Sequence, residues 1–302
     1  MPSRPPASAY AAAVGMTVAF GLSFVATKYA LRGFEPLLLA LLRFSLAGGV
    51  LWVVWRLRRG GERVSRRELG RLAVLGFVSL TVYFSFENLG IARTSASEAA
   101  ILIAAIPLFV VILNTFTLRE RTTARQWGGI ALSFAGIAAL VLLGGSGAGG
   151  GSLMGNLLVL TASLSAGVYS ILARRLLVSR PALFVTTFQN LFGALFMLPL
   201  ALAEAALVGV RHPTRGATGG VLFLTVVCSI TAYLLLNYAF RFVAASKVTA
   251  FINLTPVVAV AGAYVLLGER FTPGQAAAAV VVVAGVWLTN SGGGAVRSPS
   301  AG

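Results

Sequence analysis

Blocks of about 20 consecutive apolar residues are the feature that most limits how this chain can fold. A helix rises about 1.5 Å per residue, so a block of this length crosses the ~30 Å hydrocarbon core of a bilayer. With 58% hydrophobic and 11% charged residues, the chain has too little polar surface for a water-soluble globule. Continuous rather than alternating apolar blocks favour helices over a barrel. The predicted fold class is therefore an all-α integral membrane protein.

The apolar blocks predict ten transmembrane helices. Their ranges are 10–31, 36–56, 71–91, 98–118, 125–144, 154–174, 182–208, 217–240, 247–267 and 274–290. A Gly/Ser-rich stretch without charge separates the fifth helix from the sixth and has the composition of a linker. We therefore expect a first unit at 10–144, a linker at 145–153, a second unit at 154–290 and a disordered tail at 291–302.

The second unit repeats the first at an offset of 149 residues. Pro107 corresponds to Pro256 and Gly136 to Gly285, and thirteen positions of 88–136 are identical to their counterparts without a gap. The chain therefore contains one five-helix unit written twice. With an odd number of helices, the second copy inserts upside down relative to the first. Inverted repeats are typical of secondary transporters that bind substrate near the midplane.

The net charge of +16 would indicate a nucleic-acid partner in a soluble protein, but its placement indicates a membrane orientation. Seven arginines between positions 56 and 71 fall in one connector, as the positive-inside rule predicts for a cytoplasmic loop. If the N-terminus is cytoplasmic, seventeen basic residues lie inside and six outside. We therefore expect an inner-membrane protein with both termini in the cytoplasm and no nucleic-acid partner.

The motifs of the two units resemble those of a known family. Each unit has a Pro near the middle of its fourth helix, Leu-x-Glu at the end of that helix, and Gln and Gly in its fifth helix. The segments FGLSFVATKYAL at 20–31 and PLLLALLRFSLAG at 36–48 add to the pattern. Over residues 11–290 it resembles the EamA-type transporters of the drug/metabolite transporter (DMT) superfamily. The resemblance implies ten transmembrane helices as two inverted five-helix EamA repeats around a central cavity. It also implies alternating-access transport of amino acids or related small metabolites, commonly efflux.

Arg43 and Glu87 are charged residues inside predicted helices, where a lone charge costs about 3 kcal/mol or more. Arg43 would pair with a substrate carboxylate, and Glu87 with an amine or a coupling proton. The alternative is an ion pair between the two side chains. The predicted substrate-binding set is Arg43, Tyr83, Glu87, Tyr233, Asn237, Asn253 and Thr255. For its uncharged members, helix-to-helix hydrogen bonding is the alternative explanation.

Pro107 and Pro256 are the predicted hinges. A proline inside a helix removes one backbone donor and leaves a carbonyl group one turn earlier without its usual partner. In lipid such a carbonyl needs a neighbour, water or a ligand. Each proline would therefore act as a hinge near the midplane or, alternatively, as a packing kink.

Other classes of function have less support in the residues. One Cys and one His exclude a Cys/His metal cluster, and we expect no metal and no cofactor. The chain has no Asp and no phosphate-binding loop, so we expect neither an enzyme nor an ATP-driven pump. A channel, a membrane-embedded enzyme or a structural membrane protein is the alternative. The expected partners are a small-molecule substrate and the lipid bilayer, with protons and a homodimer left open.

Overall fold

The regular elements of the protein are helices. The computed structural model describes residues 6–59, 64–117, 122–144, 151–177, 180–235, 251 and 254–291, and this part of the chain contains no strand. The helices are α1 Ala7–Ala30, α2 Pro36–Arg59, α3 Arg66–Gly76, α4 Tyr83–Ile91, α5 Ala96–Ile103, α6 Ile106–Thr117, α7 Ala124–Gly144, α8 Leu153–Leu177, α9 Ala182–Val208, α10 Arg215–Phe223, α11 Thr255–Gly262 and α12 Pro273–Ser291. Three π-helical segments, π1 Phe77–Val82, π2 Leu224–Ala232 and π3 Ala263–Leu267, continue α3, α10 and α11 respectively.

Nine helices within the described residues are long and apolar enough to cross a bilayer. They correspond to the predicted helices 1 to 8 and 10. Of the predicted ninth helix, 247–267, the structure describes the shorter apolar helix Thr255–Leu267. The prediction of an all-α, multi-pass membrane protein is therefore confirmed.

Local sequence explains where several helices begin. Ser65, Ser95 and Thr214 are the N-cap residues of α3, α5 and α10. Each side-chain oxygen accepts a hydrogen bond from the backbone N–H three residues later, at 3.2, 3.0 and 3.2 Å. These bonds satisfy donors that a helix cannot pair internally.

The predicted fourth helix is broken rather than continuous. α5 ends at Ile103 and α6 begins at Ile106, with a turn at Ala104 and Ala105 between them. Pro107 lies in the first turn of α6, where a missing N–H costs little. Pro256 has the same position in the first turn of α11. Both prolines therefore begin a helical segment.

α7 and α12 pack against each other through glycines. A Cβ atom at Gly129 would lie 2.6 Å from the Thr289 nitrogen, and one at Gly285 would lie 2.7 Å from the Gly129 oxygen. The Ser133 hydroxyl also donates to the Val282 carbonyl at 3.1 Å. Small residues allow this close approach, as is common between helices in membranes.

The other large contacts join elements from the two halves of the chain. α2 packs against α9, α4 against α8, and α1 against α10, π2 and α11. Between them lies a buried apolar core that includes Leu102, Leu108 and Leu140. The packing brings the middle of α2, the first turn of α4 and the π2 segment together around polar side chains.

Candidate functional site

Five polar side chains meet where α2, α4 and π2 face one another. We call the set Arg43, Tyr83, Glu87, Ser229 and Tyr233 the central polar cluster. Hydrogen bonds or electrostatic interactions connect all five. Arg43 and Glu87 are 5% and 7% exposed, so both charges are withdrawn from solvent. The structure thus brings four predicted substrate-binding residues together and adds Ser229.

Arg43 is held by a hydrogen bond and by two aromatic rings. Its Nε donates to the Ser229 Oγ at 2.7 Å. The guanidinium carbon lies 4.7 Å from the centre of the Phe84 ring and 5.4 Å from that of Phe44. Aromatic faces attract a guanidinium, and the bond from Nε leaves the Nη edge of the fork for another acceptor. Ser229 therefore positions the one cationic group of the cluster.

Glu87 is fixed from its own helix. The Tyr83 hydroxyl donates to the Glu87 Oε1 at 2.8 Å, one helical turn away. Within the described part of the chain, no nitrogen–oxygen distance of 4.0 Å or less joins Glu87 to Arg43. The two opposite charges interact electrostatically without direct contact. This geometry differs from the ion pair considered as the alternative.

Tyr233 closes another side of the cluster. It is half-buried, and its ring meets Phe20 edge-on with centroids 5.5 Å apart. It interacts electrostatically with Arg43 and Glu87. Tyrosine combines an apolar ring with a polar tip. The cluster can therefore contact both an apolar group and a charged end of a small solute.

The remaining predicted residues are placed less completely. Thr255 begins α11, and its buried Oγ1 has no hydrogen-bond partner among the described residues. Among the described residues, no hydrogen bond, ring contact or electrostatic interaction joins Thr255 to the central polar cluster. Asn237 and Asn253 lie outside the described residues.

A polar chain that is not among the predicted contacts extends the cluster. Tyr169 interacts electrostatically with Tyr233 and forms a hydrogen bond with Gln189. Gln189 Nε2 donates to the Ser79 Oγ at 2.6 Å, and Ser79 donates to the Leu75 carbonyl at 2.6 Å. In the sequence, the spacing of four residues between Ser79 and Tyr83 indicated that these two side chains share one helix face. The contribution of α8 and α9 has no local sequence signal.

A cavity of about 1060 Å³ opens at the end of the bundle where α1 ends and α2 begins, and we call it the vestibule. Its charged lining residues are Lys28, Arg32, Glu35, Arg93, Glu204, Arg211 and Glu269. Pro36 also lines it, and Arg43 lies seven residues further along α2, or about 10 Å at 1.5 Å per residue. The central polar cluster therefore lies deeper in the bundle than the vestibule.

The vestibule carboxylates all have partners within the protein. Glu204 accepts hydrogen bonds from the N–H groups of Leu37 and Leu38 at 2.8 and 3.1 Å. Glu269 accepts from Ala96 and Ser97, both at 2.9 Å. These bonds place negative charge at the positively polarised N-termini of α2 and α5. Glu35 lies 2.7 Å from the Arg211 Nε in an ion pair.

Glu98 forms a second buried polar group beside the vestibule. It is 0% exposed and lies in the first turn of α5. Its carboxylate accepts hydrogen bonds from Gln275 Nε2 at 3.0 Å, Asn156 Nδ2 at 3.2 Å and Thr94 Oγ1 at 2.9 Å. These partners come from α12, from α8 and from the turn before α5. Because its three donors come from different elements, the buried Glu98 carboxylate holds α5, α8 and α12 together.

The described residues contain no group of three or more His, Cys, Asp or Glu side chains that could hold a metal ion.

Comparison with known proteins gives one consistent result. The family model described as EamA-like transporter family matches residues 7–142 and 153–291. The chain is 29% identical over 297 residues to "Uncharacterized transporter YcxC" of Bacillus subtilis, covering 93% of this chain and 92% of the relative. It is 29% identical to the "Probable terminal-alkyne amino-acid exporter" of Streptantibioticus cattleyicolor, over 90% of each chain.

Two further comparisons agree with these. The "Probable amino-acid metabolite efflux pump" of Salmonella typhimurium is 30% identical, with 90% of this chain and 91% of the relative covered. A solved structure titled "Crystal structure of protein" has a TM-score of 0.61 over 95% of this chain and 96% of that one. Its identity of 20% makes it a likeness of fold alone.

Proposed function

The chain belongs to the EamA-like transporter family, and from this premise we propose that it exports amino acids or related zwitterionic metabolites by alternating access. The observation that carries the proposal is the central polar cluster. There, two buried opposite charges interact electrostatically, although no nitrogen–oxygen distance of 4.0 Å or less joins them. Two relatives whose names refer to amino-acid export or efflux support the substrate class.

The geometry of the cluster suits a zwitterion. The Nη edge of the Arg43 guanidinium, which forms no hydrogen bond with a described residue, would bind a carboxylate in bidentate fashion. Glu87 would receive the ammonium group, or a proton that is exchanged for substrate. Phe20 and Tyr233 would contact an apolar side chain. Asn237, Asn253 and Thr255 stay proposed contacts from the second half of the chain.

The pattern of helix contacts supports an inverted-repeat arrangement. The 149-residue offset relates α2 to α9 and α7 to α12, and each of these pairs packs together. It also relates α1 to α8 and π1 to π2. The contact of π1 with α8 therefore has its counterpart in the contact of α1 with π2. A pseudo-two-fold axis between the halves produces such exchanged pairs and places a substrate site near the axis.

The interrupted helices would provide the motion. π1 and π2 flank the central polar cluster, and the 149-residue offset carries Phe77–Val82 onto residues 226–231, inside π2. π-helical turns are frequent at functional sites. With the breaks at Pro107 and Pro256, they would let segments on either side of the site tilt separately. The proposed setting is the inner membrane, with both termini in the cytoplasm.

Counterflow in proteoliposomes tests the function. Vesicles that contain purified protein would be loaded with one unlabelled amino acid or small metabolite at a time, and uptake of the labelled compound would be followed. We expect saturable counterflow for at least one zwitterion with an apolar side chain. Because lysine lacks the bidentate fork, Arg43→Lys should lower kcat/KM about tenfold or more. Arg215→Lys, on the exposed first turn of α10, is the matched control.

Two outcomes would contradict the proposal. Flux that does not saturate and is not stimulated by internal substrate would indicate a channel. If Arg43→Lys leaves saturable counterflow unchanged, the central polar cluster does not bind the transported solute.

A further inference from the structure

The end of the bundle opposite the vestibule carries a concentrated positive surface. We call Arg56 and Arg58, near the end of α2, and Arg66, Arg67 and Arg71, in the first turns of α3, the arginine face. All five side chains are exposed. The N-terminal part of α9 packs between α2 and α3 at this end, where Trp55 contacts Phe184 and Leu72 lies in the same apolar cluster. The arginine face therefore belongs to one packed region of the protein.

Glu68, the described carboxylate beside the arginine face, is bound mainly by Arg180 and interacts electrostatically with one member of the face, Arg71. Glu68 is bound by Arg180, whose Nε and Nη2 lie 2.6 and 2.9 Å from its two oxygens. Arg67 and Arg71 are four residues apart on α3, so their side chains repel each other along one helix face. Arg66 and Arg67 also occupy the first helical turn, where the helix dipole disfavours positive charge. These exposed charges lower the stability of α3 unless something anionic neutralises them.

Exposed apolar side chains continue directly from the arginine face along both helices. On α3 and π1 they are Leu69, Val74 and Phe77, at 39%, 53% and 45% exposure. On α2 they include Val53 at 48% and Leu57 at 83%. Arg56 lies over the ring of the exposed Trp52, at 5.5 Å from its centroid. An exposed tryptophan beneath an arginine is typical of the boundary between hydrocarbon and headgroups.

We propose that the arginine face is a binding site for the headgroup of an anionic phospholipid, whose acyl chains lie along the exposed residues Val74 and Phe77, on the side of α3 and π1 that continues from Arg67 and Arg71. An arginine fork binds phosphate through two parallel hydrogen bonds. A lipid satisfies both halves of the surface, because its phosphate neutralises the guanidinium groups while its chains cover the apolar residues below them. A soluble anion would neutralise the guanidinium groups but would leave the apolar residues uncovered. The site is independent of the transported solute.

Lipid binding to the purified, full-length protein in a neutral detergent tests this site. Native mass spectrometry would compare phosphatidylglycerol with phosphatidylcholine of the same chain length. We expect tighter binding of phosphatidylglycerol, weakened by added salt. The double substitution Arg67→Gln with Arg71→Gln should weaken it roughly tenfold to thirtyfold, since each basic residue near a membrane surface contributes about fivefold at most. Arg125→Gln with Arg215→Gln, two exposed arginines outside the arginine face, is the matched control and should change it less than about twofold.

Three outcomes would overturn the proposal. Equal affinity for the two lipids would remove the role of charge. An equal loss in the control variant would show that net charge alone attracts the lipid. Thermal stabilisation by glycerol 3-phosphate as large as that by phosphatidylglycerol would assign the site to a soluble anion. An unfolding temperature of the glutamine variant at least equal to that of the unsubstituted protein, measured without added lipid, would show that its loss of lipid binding is not caused by misfolding.

Discussion

Glu87 combines three properties that rarely occur together at one residue of a membrane helix. It is buried, it accepts a hydrogen bond from Tyr83 on its own helix, and it interacts with Arg43 without touching it. A structural carboxylate would be expected to contact its nearest opposite charge, because an unpaired charge in a low-dielectric environment is costly. Because Glu87 and Arg43 do not make this contact, we expect a third group, such as the solute, to bind to both during transport.

Glu87→Gln distinguishes a proton role from a purely steric one. Glutamine keeps the size of the side chain and can still accept a hydrogen bond from Tyr83, but it cannot bind or release a proton. If Glu87 carries the coupling proton, counterflow persists while uptake driven by a pH gradient is lost. The measurement is initial uptake in proteoliposomes with and without an imposed gradient.

Tyr83→Phe is the matched control for this substitution. It removes the hydrogen bond to Glu87 and leaves the carboxylate, so the ratio of gradient-driven uptake to counterflow should be retained even if both rates fall. A Glu87→Gln protein that transports at the wild-type rate with unchanged pH dependence would disprove the proton role.

At the level of residues, the sequence draws attention to isolated charges but does not identify their partners. Arg43 and Glu87 are conspicuous because each interrupts an apolar block. Ser229, which orients Arg43, is 186 residues away along the chain, and a serine among apolar residues has many possible roles. Tyr169 and Gln189 illustrate the same limit, since only packing of α8 and α9 against the rest of the bundle brings them to Tyr233 and Ser79.

At the level of elements, the apolar blocks predicted where helices lie but not their internal irregularities. The π segments have no marker in composition or periodicity, because they arise when one extra residue is accommodated in a turn. Pro107 indicated an irregularity near Ala104 and Ala105, but a proline alone is equally compatible with a kink in a continuous helix. Within the described residues, π3 has no π-helical counterpart in the first half. The residues at its equivalent positions belong to α6, which is α-helical as far as Thr117.

Pro107→Ala tests whether the break between α5 and α6 serves as a hinge. Alanine restores the backbone donor and favours a continuous helix, so the break should become stiffer. We expect turnover to fall by about threefold to tenfold, with KM changed less than about twofold, because the substrate contacts are left intact. Pro181→Ala, at the N-cap of α9, is the control. Unchanged turnover in Pro107→Ala would identify the break as a packing feature.

Gln275→Ala tests the fastening role of Glu98. The substitution removes a 3.0 Å hydrogen bond to a fully buried carboxylate and should lower the free energy of unfolding by about 1–3 kcal/mol. Gln126→Ala is the matched control, because Gln126 also accepts from the N–H of the threonine three residues earlier but lies at an exposed helix start. Unfolding in mild detergent, followed by tryptophan fluorescence, gives both values. Equal losses would show that the bond to Glu98 contributes nothing beyond the helix cap.

At the scale of the whole molecule, membrane orientation can be measured with single cysteines. Cys228 is the only cysteine of the chain, so Cys228→Ala gives a background without thiols. In that background, Arg66→Cys should react with a membrane-impermeant maleimide only from the cytoplasmic side, and Arg215→Cys only from the outside. The two positions correspond to each other at the 149-residue offset and lie on opposite proposed sides of the membrane. Labelling of both from the same side would exclude the proposed orientation of the two halves.

The glycine contact between α7 and α12 has a consequence for how the protein is made. The partner of Gly129 is the last described helix, so this face of α7 stays unmatched while the second half is synthesised. At about 5–20 residues per second, the roughly 130 residues between the two helices take on the order of 10 s to emerge. During that interval the early helices reside in the bilayer with one face open to lipid or to a chaperone. The contact can therefore form only after α12 has emerged, and a chain that stops before Gly285 leaves the glycine face of α7 without its partner.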